Sequence, residues 1–68
     1  MSDWVPVFRT GDNLKAELVK TFLIDEGINA IIVNKIDSAY PIFGMAEVHC
    51  RRDQVVLAIN LLENKYHE

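Results

Sequence analysis

An amphipathic run between two β-branched segments constrains the fold of this 68-residue chain more than any other feature. From "TGDN" to Glu26, apolar residues recur at helical spacing, and either Asp12 or Asn13 is placed to cap the start of the helix. Gly27 follows at the position where a helix end often needs a positive φ. A helix joining two strands predicts a right-handed crossover, so that the two strands run parallel. The apolar face of the predicted helix carries Leu14, Leu18, Val19, Phe22 and Leu23.

Three segments have the composition of strands. Residues 4–9 (WVPVFR) and 29–36 (NAIIVNKI) are rich in β-branched or aromatic side chains, which favours strands. Residues 46–51 (AEVHCR) alternate between small apolar and polar side chains, which predicts a strand covered on one face only. The covered face is expected to carry Ala46, Val48 and Cys50, and the open face Glu47, His49 and Arg51.

A second helical run follows Asp53, which is the predicted N-cap. The order β-α-β-β-α predicts an α+β fold, a ferredoxin-like split β-α-β unit. We expect a three-stranded sheet with two helices on one face and the fourth strand absent. Residues 1–68 form one predicted domain, with its core at about 4–66. The apolar face of the second helix is expected to carry Val55, Ala58, Ile59, Leu62 and Tyr66.

Composition argues against several classes of protein. Seven Lys and Arg stand against ten Asp and Glu, a net charge of −3 without a basic stripe, so we expect no nucleic-acid binding. No segment approaches the roughly 20 apolar residues of a membrane span. Cys50 is the single cysteine, which excludes an internal disulfide and a multi-cysteine zinc site. The absence of a signal-peptide pattern at the start of the sequence completes the expectation of a cytoplasmic protein.

The sequence offers no recognisable catalytic constellation. His49 and Cys50 are neighbours in a strand, so their side chains are expected on opposite faces, with Cys50 in the core. Only His67 supplies a second imidazole, which makes a metal site improbable. Neither serine has a recognisable base partner, and no Gly-rich phosphate-binding motif is present. We therefore predict a non-enzymatic protein without cofactor or metal.

The connector "DSAYPIFGM", residues 37–45, is long and apolar for a link between two paired strands. One interpretation is that its large side chains close one end of a thin core. The other is an interaction loop, stiffened by proline, that presents aromatic anchors to a partner. The candidate residues of this loop are Tyr40, Pro41, Ile42, Phe43 and Gly44.

A missing fourth strand leaves the first strand at an edge of the sheet, and Pro6, which cannot donate to a ladder, supports that position. An edge strand invites pairing with another chain, so we expect a homo-oligomer. Leu57 and Leu61 lie four residues apart on the second helix and suggest a further contact patch. The candidate oligomer contacts are Trp4, Pro6, Phe8, Leu57 and Leu61.

A family resemblance adds to this interpretation. The segment "AELVKTFLIDEGINAIIVNK", then "Y" and "FG", then "AEV" and a closing "D" with "A..LL", resembles a family of small prokaryotic proteins of unknown function that are described as signal-transducing. The resemblance covers roughly residues 4–63. It implies a fold similar to the nitrogen-regulatory PII proteins, which project a loop toward their targets from the place that residues 37–45 occupy here. It implies no catalytic residue, and this chain lacks the nucleotide-binding residues of the PII proteins.

Two functions are compatible with these observations. The first is a regulatory module that binds an unknown protein partner through the connector and associates with itself. The alternative is a sensor of a small metabolite, similar to the amino-acid-binding ACT domains. In that case an anionic group would bind at the start of the first helix, at Gly11, Asp12 and Asn13.

Overall fold

The computed structural model describes residues 3–36 and 44–66, which form three strands and two helices in the predicted order. The strands are β1 (Trp4–Thr10), β2 (Ala30–Ile36) and β3 (Gly44–Arg51), and the helices are α1 (Asn13–Asp25) and α2 (Val55–Tyr66). β3 lies between β1 and β2 and pairs antiparallel with both, so β1 and β2 run in the same direction. The α+β, ferredoxin-like architecture is confirmed. In the described part of the chain, no helix is both long and apolar enough to cross a membrane.

The core lies between the sheet and the helix layer. Both helices pack on one face of the sheet, with α1 on all three strands and α2 on β1 and β3. The predicted covered face of β3 is confirmed, since its three small apolar side chains are at most 2% exposed. The buried apolar residues are Ala16, Val19, Leu23, Ile28, Ala46, Val48, Cys50, Ala58 and Leu62.

Both ends of α1 are fixed by local sequence. The Asp12 carboxylate accepts hydrogen bonds from the backbone N–H groups of Leu14, at 2.9 Å, and Lys15, at 3.4 Å. At the other end Gly27 has a φ of +89°, and the Ile28 N–H donates to the Leu23 carbonyl at 2.9 Å. This 6→1 bond is the Schellman motif, and the buried Ile28 side chain closes it. The predicted N-cap at Asp12 and the predicted helix end at Gly27 are therefore confirmed.

The apolar face of α1 differs from the predicted one. Leu14 and Leu18 are 69% and 58% exposed, whereas Ala16 is buried with Val19 and Leu23. Buried positions at spacings of three and four centre the contact with the sheet on this row. Leu14 and Leu18 form a separate row, four residues apart, that turns away from the sheet.

α2 begins differently from the prediction. Arg52–Gln54 form a 3-10 turn, so Asp53 lies inside that turn and is not the N-cap of α2. The Asp53 carboxylate instead lies 3.5 Å from the Arg51 guanidinium. Ile59, predicted on the apolar face of α2, is 40% exposed, since contact with the sheet centres on Ala58 and Leu62.

A β-bulge in β1 changes which side chains share a face. Pro6 pairs with His49 and Phe8 with Val48, which leaves Val7 as the extra residue. Regular alternation along β1 would place Phe8 on the same face as Trp4 and Pro6, and the bulge breaks that alternation. Opposite the buried Val48, Phe8 lies on the helix side, with its ring centroid 6.1 Å from that of Tyr66.

Candidate functional site

The face of the sheet opposite the helices is the first candidate surface. The register of the three strands assigns nine described side chains to this face. We call it the open face, and it consists of Trp4, Pro6, Arg9, Ile31, Val33, Met45, Glu47, His49 and Arg51.

A carboxylate lies at the centre of the open face and is almost fully buried. Glu47 is 4% exposed although neither helix packs on this side of the sheet. The Arg9 guanidinium donates from Nε to Glu47 Oε2 at 2.9 Å, and His49 Nε2 lies 3.0 Å from Glu47 Oε1. Each carboxylate oxygen therefore has a strong polar partner, which offsets the cost of removing the charge from water.

The bulge in β1 is what brings Arg9 to this carboxylate. Without the extra residue Val7, Arg9 would fall on the helix side and Phe8 on the open face. The sequence predicted Glu47 and His49 on the open side, and that is confirmed. It did not predict that Glu47 would be buried, because the register of β1 depends on a bulge that alternation does not reveal.

Apolar side chains surround the central ion network. Ile31 and Met45 are 38% and 40% exposed, and Pro6 is also exposed. Trp4 and Val33 are half-buried on the same face. Exposed apolar side chains grouped on one face of a protein often mark a contact site for another molecule.

A groove of about 620 Å³ lies at one end of the sheet, where β1 and β2 begin and β3 ends. Gln54 holds the turn beside it, because its side-chain amide accepts from the Asn29 N–H at 3.0 Å and donates to the Gly27 carbonyl at 3.4 Å. The volume falls within the range of small-molecule sites. Its lining includes Trp4, Ile24, Ile28, Asn29, Ile31 and Arg51.

The predicted anion site lies at the opposite end of the sheet from this groove. There the Asp12 carboxylate occupies the N–H groups of Leu14 and Lys15, and the Thr10 hydroxyl accepts from the Asp12 N–H at 3.1 Å. A carboxylate already at the helix start repels a second anion. The hydrogen bonds of Asp12 thus give the predicted anion site at Gly11, Asp12 and Asn13 no support.

The remaining predicted residues are scattered. Tyr40, Pro41, Ile42 and Phe43 lie outside the described residues, and Gly44 is the first residue of β3. Leu57 is 52% exposed, whereas Leu61 packs against the core. The five predicted oligomer contacts therefore do not form one surface, since Trp4 and Pro6 lie on the open face and Phe8 packs under α2.

Cys50 is a core residue, as predicted, and is fully buried. Burial, with a smaller effect of the Asp53 carboxylate, raises the pKa of the Cys50 thiol above its ordinary value of 9.0. A thiol of this kind is a poor nucleophile at neutral pH. Residues 3–36 and 44–66 contain no cluster of three or more His, Cys, Asp or Glu side chains able to hold a metal ion.

Comparisons of the chain with known protein families, with curated proteins and with solved structures gave no match. The resemblance to the signal-transducing family therefore stays a prediction. The open face and the groove are the two surfaces whose geometry bears on function.

Proposed function

We propose that this chain is a non-enzymatic regulatory module that binds a protein partner on the open face of its sheet. The observation that carries the proposal is the buried Glu47, held by Arg9 and His49 at the centre of an apolar surface. A face that contacts only water does not require its charged groups to be paired and buried, because separate solvated charges keep the protein equally soluble.

The composition of the open face suggests the chemistry of the partner. Among its described side chains, the exposed charges are the guanidinium groups of Arg9 and Arg51, since Glu47 is buried. Asp53 lies beside Arg51 and offsets part of that charge. A partner that combines apolar anchors for Ile31 and Met45 with acidic groups near Arg9 matches this surface.

The proposal is tested by affinity capture with the tagged chain as bait in a lysate of its native cell. The variant is Met45→Glu, which adds a negative charge to the open face beside the apolar anchors. We expect it to lose the captured protein because an acidic, apolar partner meets both repulsion and a desolvation cost. Sedimentation of the purified pair then measures the loss directly.

The matched control is Val56→Glu, which adds the same charge at a position on α2 that is 75% exposed. It should fold like the wild type and retain the partner. Equal loss in both variants, or retention by Met45→Glu in a folded protein, would refute the open face as the docking surface.

A small-ligand sensor is the second candidate, and the groove at the end of the sheet favours it. The indole of Trp4 and the guanidinium of Arg51 line the groove together with isoleucines, so a planar acid is the matching ligand class. A thermal-shift screen of aromatic and aliphatic carboxylates tests this function, since ligand binding raises the melting temperature. A response that disappears in Arg51→Ala supports it, and no response in the wild type rejects it.

A further inference from the structure

The two edges of the sheet differ in how well they are protected against pairing. β1 carries Pro6, which has no N–H to donate, and a bulge at Val7 that twists the strand. Both are devices by which natural sheets discourage edge pairing. The predicted association through β1 is therefore disfavoured by the backbone of that strand.

β2 has neither device. Its seven residues contain no proline and pair with β3 in a continuous register from Ala30 to Ile36. Within the described residues, β2 pairs with no strand other than β3. Its outer backbone groups thus offer a regular template for another strand.

Exposed apolar side chains flank this edge on both sides of the sheet. Ile31, on the open face of β2, is 38% exposed, and Ile24, near the end of α1, is 50% exposed. Both line the groove at the start of β2. A second chain that covers an edge with apolar groups above and below it removes more apolar surface from water than one that covers a polar edge. Its binding is therefore more favourable.

The side of α1 above β2 carries opposite charges in a self-complementary order. Phe22 faces α2, where its ring centroid lies 6.3 Å from that of Tyr66. The opposite side of α1, about half a turn away, carries Glu17, Lys20 and Ile24. Within one chain, Lys20 Nζ lies 3.4 Å from Glu17 Oε1.

We infer that a second copy of this chain pairs with β2 in antiparallel fashion and forms a two-fold dimer with a continuous six-stranded sheet. The two-fold axis of such a dimer lies between the two β2 strands, perpendicular to the sheet and level with their midpoints. It is also level with the middle of α1, because the helix and the strand run antiparallel and have similar lengths of about 20 Å. In that arrangement Glu17 of each copy faces Lys20 of the other, and each ion pair occurs twice. The proposal concerns the β2 edge, not the open face, and stands independently of the proposed function.

Light scattering and sedimentation of the full chain over a range of concentrations test the dimer. The expected mass at high concentration is twice that of the 7.8 kDa chain. A single charge reversal, Glu17→Lys or Lys20→Glu, should weaken association by about tenfold, since two symmetry-related contacts become repulsive together.

The decisive measurement mixes the two single variants. A Glu17→Lys copy presents two lysines and a Lys20→Glu copy presents two glutamates, so the mixture should dimerise although neither variant does so well alone. The double reversal in one chain should also restore the dimer. Glu63→Lys, an exposed change on α2, is the matched control and should leave association unchanged.

Three results would overturn the inference. They are a monomeric wild type at every concentration, a dimer that the single reversals leave intact, and a mixture that does not recover association. The second result would assign self-association to another surface, because the fold is intact and the charges on the side of α1 next to the β2 edge have been altered.

Discussion

Arg9 donates a hydrogen bond to Glu47 at 2.9 Å across β1 and β3, on the side of the sheet opposite the helices. The contact exists only because the bulge at Val7 turns Arg9 to that side. The Arg9 side chain is 63% exposed and the Glu47 side chain is 5% exposed. Loss of the contact would therefore mainly destabilise the buried Glu47 carboxylate.

Removal of Arg9 should therefore destabilise the protein more than removal of another surface arginine. For Arg9→Ala we expect a loss of about 1–2 kcal/mol, because buried Glu47 loses a charge-assisted hydrogen bond. Arg51→Ala is the control, since its pairing with Asp53 is exposed and longer, at 3.5 Å. It should cost about 0.5 kcal/mol or less. Urea unfolding followed by circular dichroism measures both, and equal losses would contradict a structural role for the Arg9–Glu47 pair.

The end of α1 depends on the backbone freedom of Gly27. With its φ of +89°, Gly27→Ala should cost about 1–2 kcal/mol through backbone strain. A tertiary clash contributes nothing, because no atom beyond the two neighbouring residues lies within 4 Å of the added Cβ. Gly27→Asn should cost less, since asparagine tolerates this region better. Thermal unfolding of the two variants compares them, and an equal loss would show that strain at this residue is not the cause.

The buried thiol of Cys50 should resist labelling in the native protein. A thiol reagent at mildly alkaline pH should react slowly with the folded chain and rapidly after denaturation, because Cys50 is fully buried and its raised pKa keeps it protonated. Rapid reaction of the native protein would contradict the packing of β3 against the helices.

The same thiol predicts a dependence of stability on pH. The folded state holds the Cys50 proton more tightly than the unfolded chain does, since the folded pKa is raised above 9.0. The contribution to the free energy of unfolding is therefore complete below pH 9.0 and is lost as the pH rises through the folded pKa. Cys50→Ala lacks this titration, so its stability should fall less steeply above pH 9.0 than that of the wild type in parallel urea titrations.

The connector 37–45 yields a prediction from the sequence alone. If it contacts the partner, Tyr40→Ala combined with Phe43→Ala should abolish capture and leave the melting temperature nearly unchanged. A fall of several degrees would instead assign the two aromatic side chains to the core. Met45, although within residues 37–45, belongs to β3, so comparison of this double variant with Met45→Glu separates a contact through Tyr40 and Phe43 from one through the open face.

Local sequence determined the elements of this protein and their ends. Helical spacing, Asp12 and Gly27 define α1, because caps and left-handed glycines act within a few residues. Alternation in residues 46–51 identified the buried row of β3, since a strand with one covered face needs that pattern. The order of the elements then led to the ferredoxin-like sheet.

Tertiary structure determined the candidate surfaces. Only pairing with β3 shows the bulge that turns Phe8 to the helix side and Arg9 to Glu47, because register depends on hydrogen bonds between distant segments. Packing against the sheet also buries Ala16 and leaves Leu14 and Leu18 exposed. Several rows of α1 are apolar, and only the tertiary contact selects among them. Sheet order, finally, placed β2 at an edge among the described strands, a property that belongs to the arrangement of strands and not to any one segment.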